Sequence, residues 1–209
     1  GLKRKQKAKR ATVIRDYFLN YKFQNASTQV NLRAGVVNIL SSDAELPDWT
    51  VTLVDTGNDS LTGTRLQRVL PYLHGDRFLA TYGDGVADID LSASIAAHEQ
   101  GARLVTVTAV HPSSRFGELS LTGDTVRMFQ EKPQVDQGWI NGGFFVFEKK
   151  AFDHAPPGNF SLEGNMLERI ADVKQLGVYR HNGFWQCMDT FREMQLLNQM
   201  WDEGNAKWK

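Results

Sequence analysis

The sequence predicts an α/β fold with a mostly parallel sheet covered by helices. Three observations carry this. From residue 51 onward, apolar runs of strand length alternate with segments of helical spacing in the order β-α-β-α-β, an order that places helices on the faces of a parallel sheet. Arg103–Val110 alternates and is rich in Val and Thr, which marks a strand. Between the first two strands, Leu66, Val69, Leu70 and Leu73 recur at helical spacing.

The elements follow in order. Residues 3–10 read Lys-Arg-Lys-Gln-Lys-Ala-Lys-Arg, a charge run that reads as a solvated loop or helix start. No aromatic residue is interleaved with it, which counts against a nucleic-acid surface. Val13, Ile14, Tyr17 and Phe18 share one face of an amphipathic helix. Val51–Val54 reads as a short strand running into the polar loop Asp55–Ser60, and Pro71 ends the helix that follows. Phe78–Tyr82 is the next strand and stops at Gly83-Asp84-Gly85. Asp90 or Ser92 caps a helix with Ile95 and His98 on one face and Gly101 just past its end. Further on, Glu118–Leu121 and Thr125–Gln130 form a hairpin around Thr122-Gly123-Asp124. Gly143–Phe147 is a buried strand, Leu162–Asp172 a helix with Leu162, Met166, Leu167 and Ile170 inward, and Gln175–Tyr179 a strand. Thr190-x-x-Glu193 is a capping box opening a last helix, with Phe191, Met194, Leu197 and Trp201 as its apolar stripe and Gly204 its terminator. There is no internal repeat, low-complexity segment or linker, so one domain over 1–209 is expected.

Composition excludes several classes. The chain has 209 residues, 41% of them hydrophobic, with 24 Lys+Arg against 24 Asp+Glu. Global disorder is excluded by the apolar content, and zero net charge argues against a whole-protein grip on nucleic acid. Apolar stretches such as Phe144–Phe147 are far short of a membrane span. Gly-Leu followed by charges does not read as a signal peptide. Cys187 is the sole cysteine, so no intrachain disulfide forms and a reducing cytoplasm is the expected compartment. The five histidines show no metal-ligand spacing. Gly-x-Ser-x-Gly and Walker motifs do not occur.

Open parallel sheets bind ligands beyond the carboxyl ends of their strands, and two such ends stand out. After Val54 comes a run of small, hydroxyl-bearing and glycine residues, Thr56 to Gly63, in which Ser60 lies, with Arg65 in the first turns of the helix behind it. Backbone N–H groups there can hold an anion, and Arg65 can pair with a phosphate. After Tyr82, Gly83 and Gly85 flank Asp84 and allow a large ligand to approach closely. A carboxylate at that place is a hard ligand suited to Mg²⁺ and its phosphates. Asp189 sits between a Trp-containing strand end and Thr190. It is either a helix-start carboxylate or, if its strand approaches Asp84, a second ligand of one site. Glu131-Lys132-Pro133 ends one hairpin strand and Asn141-Gly142-Gly143 begins a buried one.

Taken together, the residues carry a resemblance. Val54-Asp55-Thr56-Gly57, Thr62-Gly63-x-Arg65-Leu66 and Thr81-Tyr82-Gly83-Asp84-Gly85-Val86-Ala87-Asp88 occur in order. So do Arg115-Phe116-Gly117, Phe129-Gln130-Glu131-Lys132-Pro133, Ile140-Asn141-Gly142-Gly143-Phe144-Phe145-Val146 and Gly183-Phe184-Trp185-Gln186-x-Met188-Asp189-Thr190. The series resembles the sugar-nucleotide pyrophosphorylase family, in particular its glucose-1-phosphate cytidylyltransferases, from about residue 50 onward and more faintly over 11–49. The resemblance implies a Rossmann-like nucleotide-diphospho-sugar transferase fold with a mixed central sheet. It implies a Mg²⁺-dependent reaction of CTP with glucose 1-phosphate that yields CDP-glucose and pyrophosphate, for bacterial surface polysaccharide (O-antigen). Asp84 and Asp189 match its Mg²⁺ ligands. Ser60, Arg65 and Gly83 match nucleotide contacts. Gly117, Glu131, Lys132 and Asn141 match the sugar-phosphate side, with Lys132 on the phosphate and, with Asp84, in the catalytic role. A homo-oligomer is also implied.

The resemblance has one gap. Family members open with a strand leading into a Gly-Gly-x-Gly-Thr-Arg loop and a later Lys-Pro segment, and these 209 residues contain no such loop. The expected fold is accordingly one without its first βαβ unit. Two alternatives follow: a non-catalytic homologue that binds sugar nucleotide or a partner, and a pyrophosphorylase that uses another nucleoside triphosphate.

Overall fold

The computed structural model describes residues 12–24, 26–41, 46–112, 118–122, 125–130 and 138–209. The chain divides into two compact units, residues 1–72 and 73–209.

In the first unit, residues 12–19 form helix α1, and Tyr21–Gln24 add a short α2. The apolar face expected of α1 is present but not buried, with Val13, Ile14 and Tyr17 all exposed. Strands β1 (Ser27–Asn31) and β2 (Val36–Ser41) pair antiparallel, Val30 opposite Val37. Their turn is set by Asn31, whose Oδ1 accepts from the Arg33 and Ala34 N–H groups at 3.1 and 3.0 Å. Gly35 closes it at φ +65°. The strand expected at Val51–Val54 is not formed among the described residues. Its apolar pattern is right, but a strand is defined by a neighbour that takes its backbone hydrogen bonds. Helix α3 (Thr62–Val69) passes into a tighter turn, Leu70–Tyr72, at Pro71, as the missing proline N–H requires.

The second unit is built on a four-stranded sheet of β3 (Arg77–Thr81), β5 (Val105–Val110), β8 (Ile140–Glu148) and β9 (Leu176–His181). Its order is β3-β8-β5-β9. β8 lies antiparallel to both β3 and β5, while β5 and β9 run parallel. The sheet is therefore mixed, as the family resemblance implies, and not mostly parallel as the β-α-β order alone suggests. β3 and β5 do point the same way, but β8, from much later in the chain, occupies the place between them.

Helix α4 (Leu91–Gly101) connects β3 to β5 and is capped by Asp90, whose Oδ1 accepts from Ala93 N at 2.9 Å. Ala102, not Gly101, takes the left-handed position that ends it, at φ +46°. Strand β4 (Gly85–Ala87) precedes α4 and pairs with β10 (Trp185–Cys187). A separate hairpin pairs β6 (Glu118–Thr122) with β7 (Thr125–Gln130). The expected helix at 162–172 is split into a π-helical turn, Leu162–Leu167, and α5 (Glu168–Asp172), with Leu162, Met166, Leu167 and Ile170 all buried as expected. Phe147 is fully buried and stacks on Phe78 at 5.3 Å; burial of such a ring contributes about 2–3 kcal/mol. Helix α6 (Phe191–Asp202) forms behind Thr190, yet only Leu197 of its stripe is buried. Phe191 and Trp201 are exposed.

Candidate active site

A cavity of about 410 Å³ opens in the second unit where β4 and β10 meet the start of β8. Its walls include Tyr82, Asp84, Asn141, Trp185, Asp189 and Glu193. The meeting of Asp84 with Asp189 has a backbone cause. The β4–β10 ladder sets Cys187 opposite Gly85, and Met188 N–H donates to the Asp84 carbonyl at 2.7 Å. Each aspartate thus leaves its strand end beside the other, although the chain between them is long. Both are exposed to solvent.

The β8 side is shaped by Asn141-Gly142-Gly143. Val107 pairs with Phe145 but Ala109 with Asn141, so the glycines bulge out of register. Gly143 holds φ +81°, and a Cβ there would lie 2.5 Å from Tyr82 Cδ2. Gly142 is packed against β5, where a Cβ would lie 2.7 Å from Val110 Cγ1. The bulge frees the Gly142 carbonyl to accept from Trp185 Nε1 at 2.8 Å. It also turns Asn141 inward, its Nδ2 donating to the Tyr82 hydroxyl at 3.1 Å. Tyr82 in turn donates to Glu163 Oε1 at 2.6 Å. Burial first, and then the hydrogen bond to Glu163, raises the Tyr82 pKa, so the phenol stays protonated.

At the opposite wall the capping box is complete. Glu193 N–H donates to Thr190 Oγ1 at 3.2 Å, and Glu193 Oε2 accepts from the Asp189 and Thr190 N–H groups at 2.9 and 2.8 Å. Cys187 Sγ, Asp189 and Glu193 present ligand atoms within 4.8 Å of one another. Glu193 is committed to the cap, however, and its Oε1 takes the Cys187 thiol at 4.0 Å. Burial, followed by the Glu193 and Asp189 charges, pushes the Cys187 thiol up. Behind the site, His181 pairs with Asp88 at 2.8 Å and fixes the turn before Trp185.

The residues singled out from sequence fall into three groups. Asp84, Asn141 and Asp189 line this cavity, with Gly83 in the turn before Asp84. Ser60 and Arg65 belong to the first unit, Ser60 in the loop ahead of α3 and Arg65 in its first turn. There Arg65 Nη1 donates to Thr56 Oγ1 at 2.9 Å, and Ser60 Oγ donates to the Thr56 carbonyl at 2.5 Å. Arg65 also lines a cavity of about 530 Å³. Gly117, Glu131 and Lys132 lie outside the described residues. Sequence reading missed Tyr82, Glu163 and Trp185 as parts of the site. Tyr82 and Trp185 stood within the matched motifs, but read as strand residues. Glu163 carried no signal beyond an acidic residue early in a helix.

The second unit is thus a mixed α/β sheet that carries two aspartates at one cavity. The nucleotidyl transferase family matches residues 56–201, and the chain belongs to it. Its relatives are specific. Glucose-1-phosphate cytidylyltransferase of Salmonella typhimurium is 41% identical over 198 residues, 94% of this chain and 76% of its own length. A Bacillus subtilis relative is 38% identical over 197 residues, with the same shares covered. HddC from Yersinia pseudotuberculosis, complexed with GMP-PN, superposes with a TM-score of 0.52 at 19% identity, over 69% of this chain and 64% of that one. That likeness concerns the fold alone. The chain thus spans about three quarters of its curated relatives and under two thirds of the solved structure. No helix among the described residues is long and apolar enough to cross a membrane.

Proposed function

We propose that this protein joins CTP and glucose 1-phosphate into CDP-glucose and pyrophosphate, with Mg²⁺ as cofactor. The observation that supports it most is the placement of Asp84 and Asp189 in one cavity by the β4–β10 ladder. Two exposed carboxylates beside roughly 410 Å³ of open space suit a hard cation that keeps its waters and binds phosphate oxygens. In this reading Asp84 and Asp189 hold Mg²⁺, which when bound offsets charge on the triphosphate.

The chemistry is an in-line displacement. A phosphate oxygen of glucose 1-phosphate attacks the α-phosphorus of CTP. A new P–O bond forms as the bond to the bridging oxygen of the β-phosphate breaks, and pyrophosphate leaves with that electron pair. Both reactants are anionic, so the protein must align them and suppress their repulsion. Lys132 is assigned to the sugar phosphate, where its ammonium supplies positive charge. Glu131, Gly117 and Asn141 are assigned to the sugar, and Ser60, Arg65 and Gly83 to the nucleotide. These roles follow the matched motifs. For Asn141 the cavity adds support, because its carboxamide faces the same space as the two aspartates.

The test is pyrophosphate release from the chain with CTP, UTP or dTTP, glucose 1-phosphate and Mg²⁺. The expected result is release with CTP, abolished by EDTA. Release with another nucleotide in preference moves the assignment to a different pyrophosphorylase, and binding of sugar nucleotide without release makes it a non-catalytic homologue.

A further inference from the structure

The cavity wall holds a hydrogen-bond chain whose proton positions follow from donor and acceptor chemistry. The Gly143 N–H can only donate, and it meets Asn141 Oδ1 at 2.9 Å. The Asn141 carboxamide therefore turns its nitrogen to the other side, where Nδ2 lies 3.1 Å from the Tyr82 oxygen. An amide N–H donates, so the Tyr82 oxygen accepts there. The phenol proton is left for the neighbour on its far side, Glu163 Oε1 at 2.6 Å. An ionised carboxylate only accepts, so the whole chain runs in one direction, from Asn141 through Tyr82 to Glu163.

The frame holding these groups is stiff. Tyr82 N–H donates to the Gly143 carbonyl at 3.0 Å, and the Tyr82 ring packs edge-on against Phe145. Glu163 sits half-buried in the π-helical turn, where Met166 N–H reaches back to the Ser161 carbonyl at 3.4 Å. Such turns recur where a side chain must be re-aimed toward a functional site. Among the described residues, one Asn141 N–H and one lone pair of Oδ1 are left over, and Asn141 is exposed to the cavity.

We propose that Tyr82 and Glu163 are positioning residues that lock the Asn141 carboxamide so that its remaining N–H meets a hydroxyl oxygen of the sugar phosphate. The proposal rests on the reading of this cavity as the sugar-phosphate site. A carboxamide in place of Glu163 would keep an acceptor for the phenol proton, because its oxygen accepts as the carboxylate does. Replacing Glu163 by leucine removes that acceptor. The phenol proton then turns to Asn141, and the Asn141 amide flips to accept it. A flipped amide sets its NH₂ against the Gly143 N–H, two donors face to face. Asn141 is left without one preferred orientation, and the substrate loses a fixed donor.

The test compares Tyr82→Phe and Glu163→Leu with the parent chain, using CTP with glucose 1-phosphate and its 2-, 3-, 4- and 6-deoxy analogues. Thermal unfolding by circular dichroism identifies which variants are folded. Expected is a rise of about tenfold in KM for glucose 1-phosphate in both variants, the loss of one oriented hydrogen bond. The fall in kcat is smaller and KM for CTP is unmoved. One deoxy analogue discriminated against by the parent is no longer discriminated against by either variant, a change that general loosening does not produce. Glu163→Leu carries the test if Tyr82→Phe fails to fold. Unchanged KM in a folded variant, or an equal loss across all analogues, overturns the proposal while leaving the reaction intact. A parent chain inert toward glucose 1-phosphate removes the reaction itself, and is seen before any substitution is made.

Discussion

Gly143 shows how much a single residue decides. Its φ of +81° and the 2.5 Å approach that a Cβ would make to Tyr82 leave room for no other side chain. Gly143→Ala should cost about 2–4 kcal/mol, from strain plus displacement of the Tyr82 ring. A urea-unfolding midpoint measures it, with the glucose 1-phosphate KM rising in parallel. Asp84 and Asp189 work at the same scale but through charge. Asp84→Asn and Asp189→Asn should each reduce Mg²⁺-dependent pyrophosphate release by at least about 10²-fold, in line with loss of a charged transition-state contact. Retained turnover in both, over a titration of Mg²⁺, removes them as metal ligands. These residues were legible in the sequence because Gly-Asp-Gly and Met-Asp-Thr stand in matched order with the other motifs. Arg65 was legible as a position but not as a partner. Only the folded loop shows it bonded to Thr56 and the Asn58 carbonyl.

Among the elements, α6 is the one whose start matters to the site. Its cap joins Thr190, Glu193 and the Asp189 N–H in one small network. Thr190→Ala should lower stability by about 1 kcal/mol. Because Glu193 also holds the Asp189 backbone, the same change should raise the Mg²⁺ concentration needed for half-maximal activity. Differential unfolding and a Mg²⁺ titration separate the two effects. The capping box was readable from Thr-x-x-Glu, a local pattern with a local cause. The π-helical turn at Leu162–Leu167 was not, since the one extra residue its hydrogen bond encloses leaves no mark on apolar spacing over so short a run. The Val51–Val54 strand failed for the opposite reason. Its pattern is local, but its existence depends on a partner.

Across the second unit, a polar network ties helix to sheet. His98 is almost wholly buried, with Nδ1 2.8 Å from Thr106 Oγ1 and Nε2 3.2 Å from Glu148 Oε1. Glu148 also receives Arg77 Nε at 2.8 Å, and Arg77 reaches Glu99. Burial alone would raise the Glu148 pKa. The hydrogen bonds and charges of Arg77 and His98 together outweigh it and hold the carboxyl below its ordinary value of 4.5. The folded state thus binds the Glu148 proton less readily than the unfolded chain does. Its contribution is complete above about pH 4.5 and is lost as the pH falls through the lower folded value. Glu148→Gln should therefore be less stable than the parent at pH 7, with the two melting temperatures converging as the pH falls below 4.5. Parallel curves over that range would rule the linkage out.

The sequence by itself determined the family, the α/β class, the capping box of the last helix and the aspartates that carry the proposed chemistry. Each of these is written in residue type and short spacing. Only the tertiary structure decided that β8 enters the sheet between β3 and β5, that β4 and β10 bring Asp84 and Asp189 to one cavity, and that Tyr82 and Glu163 stand behind Asn141. Those are pairings between residues distant in the chain. They are selected by backbone hydrogen bonds and packing summed over the whole unit, and no stretch of sequence contains that sum.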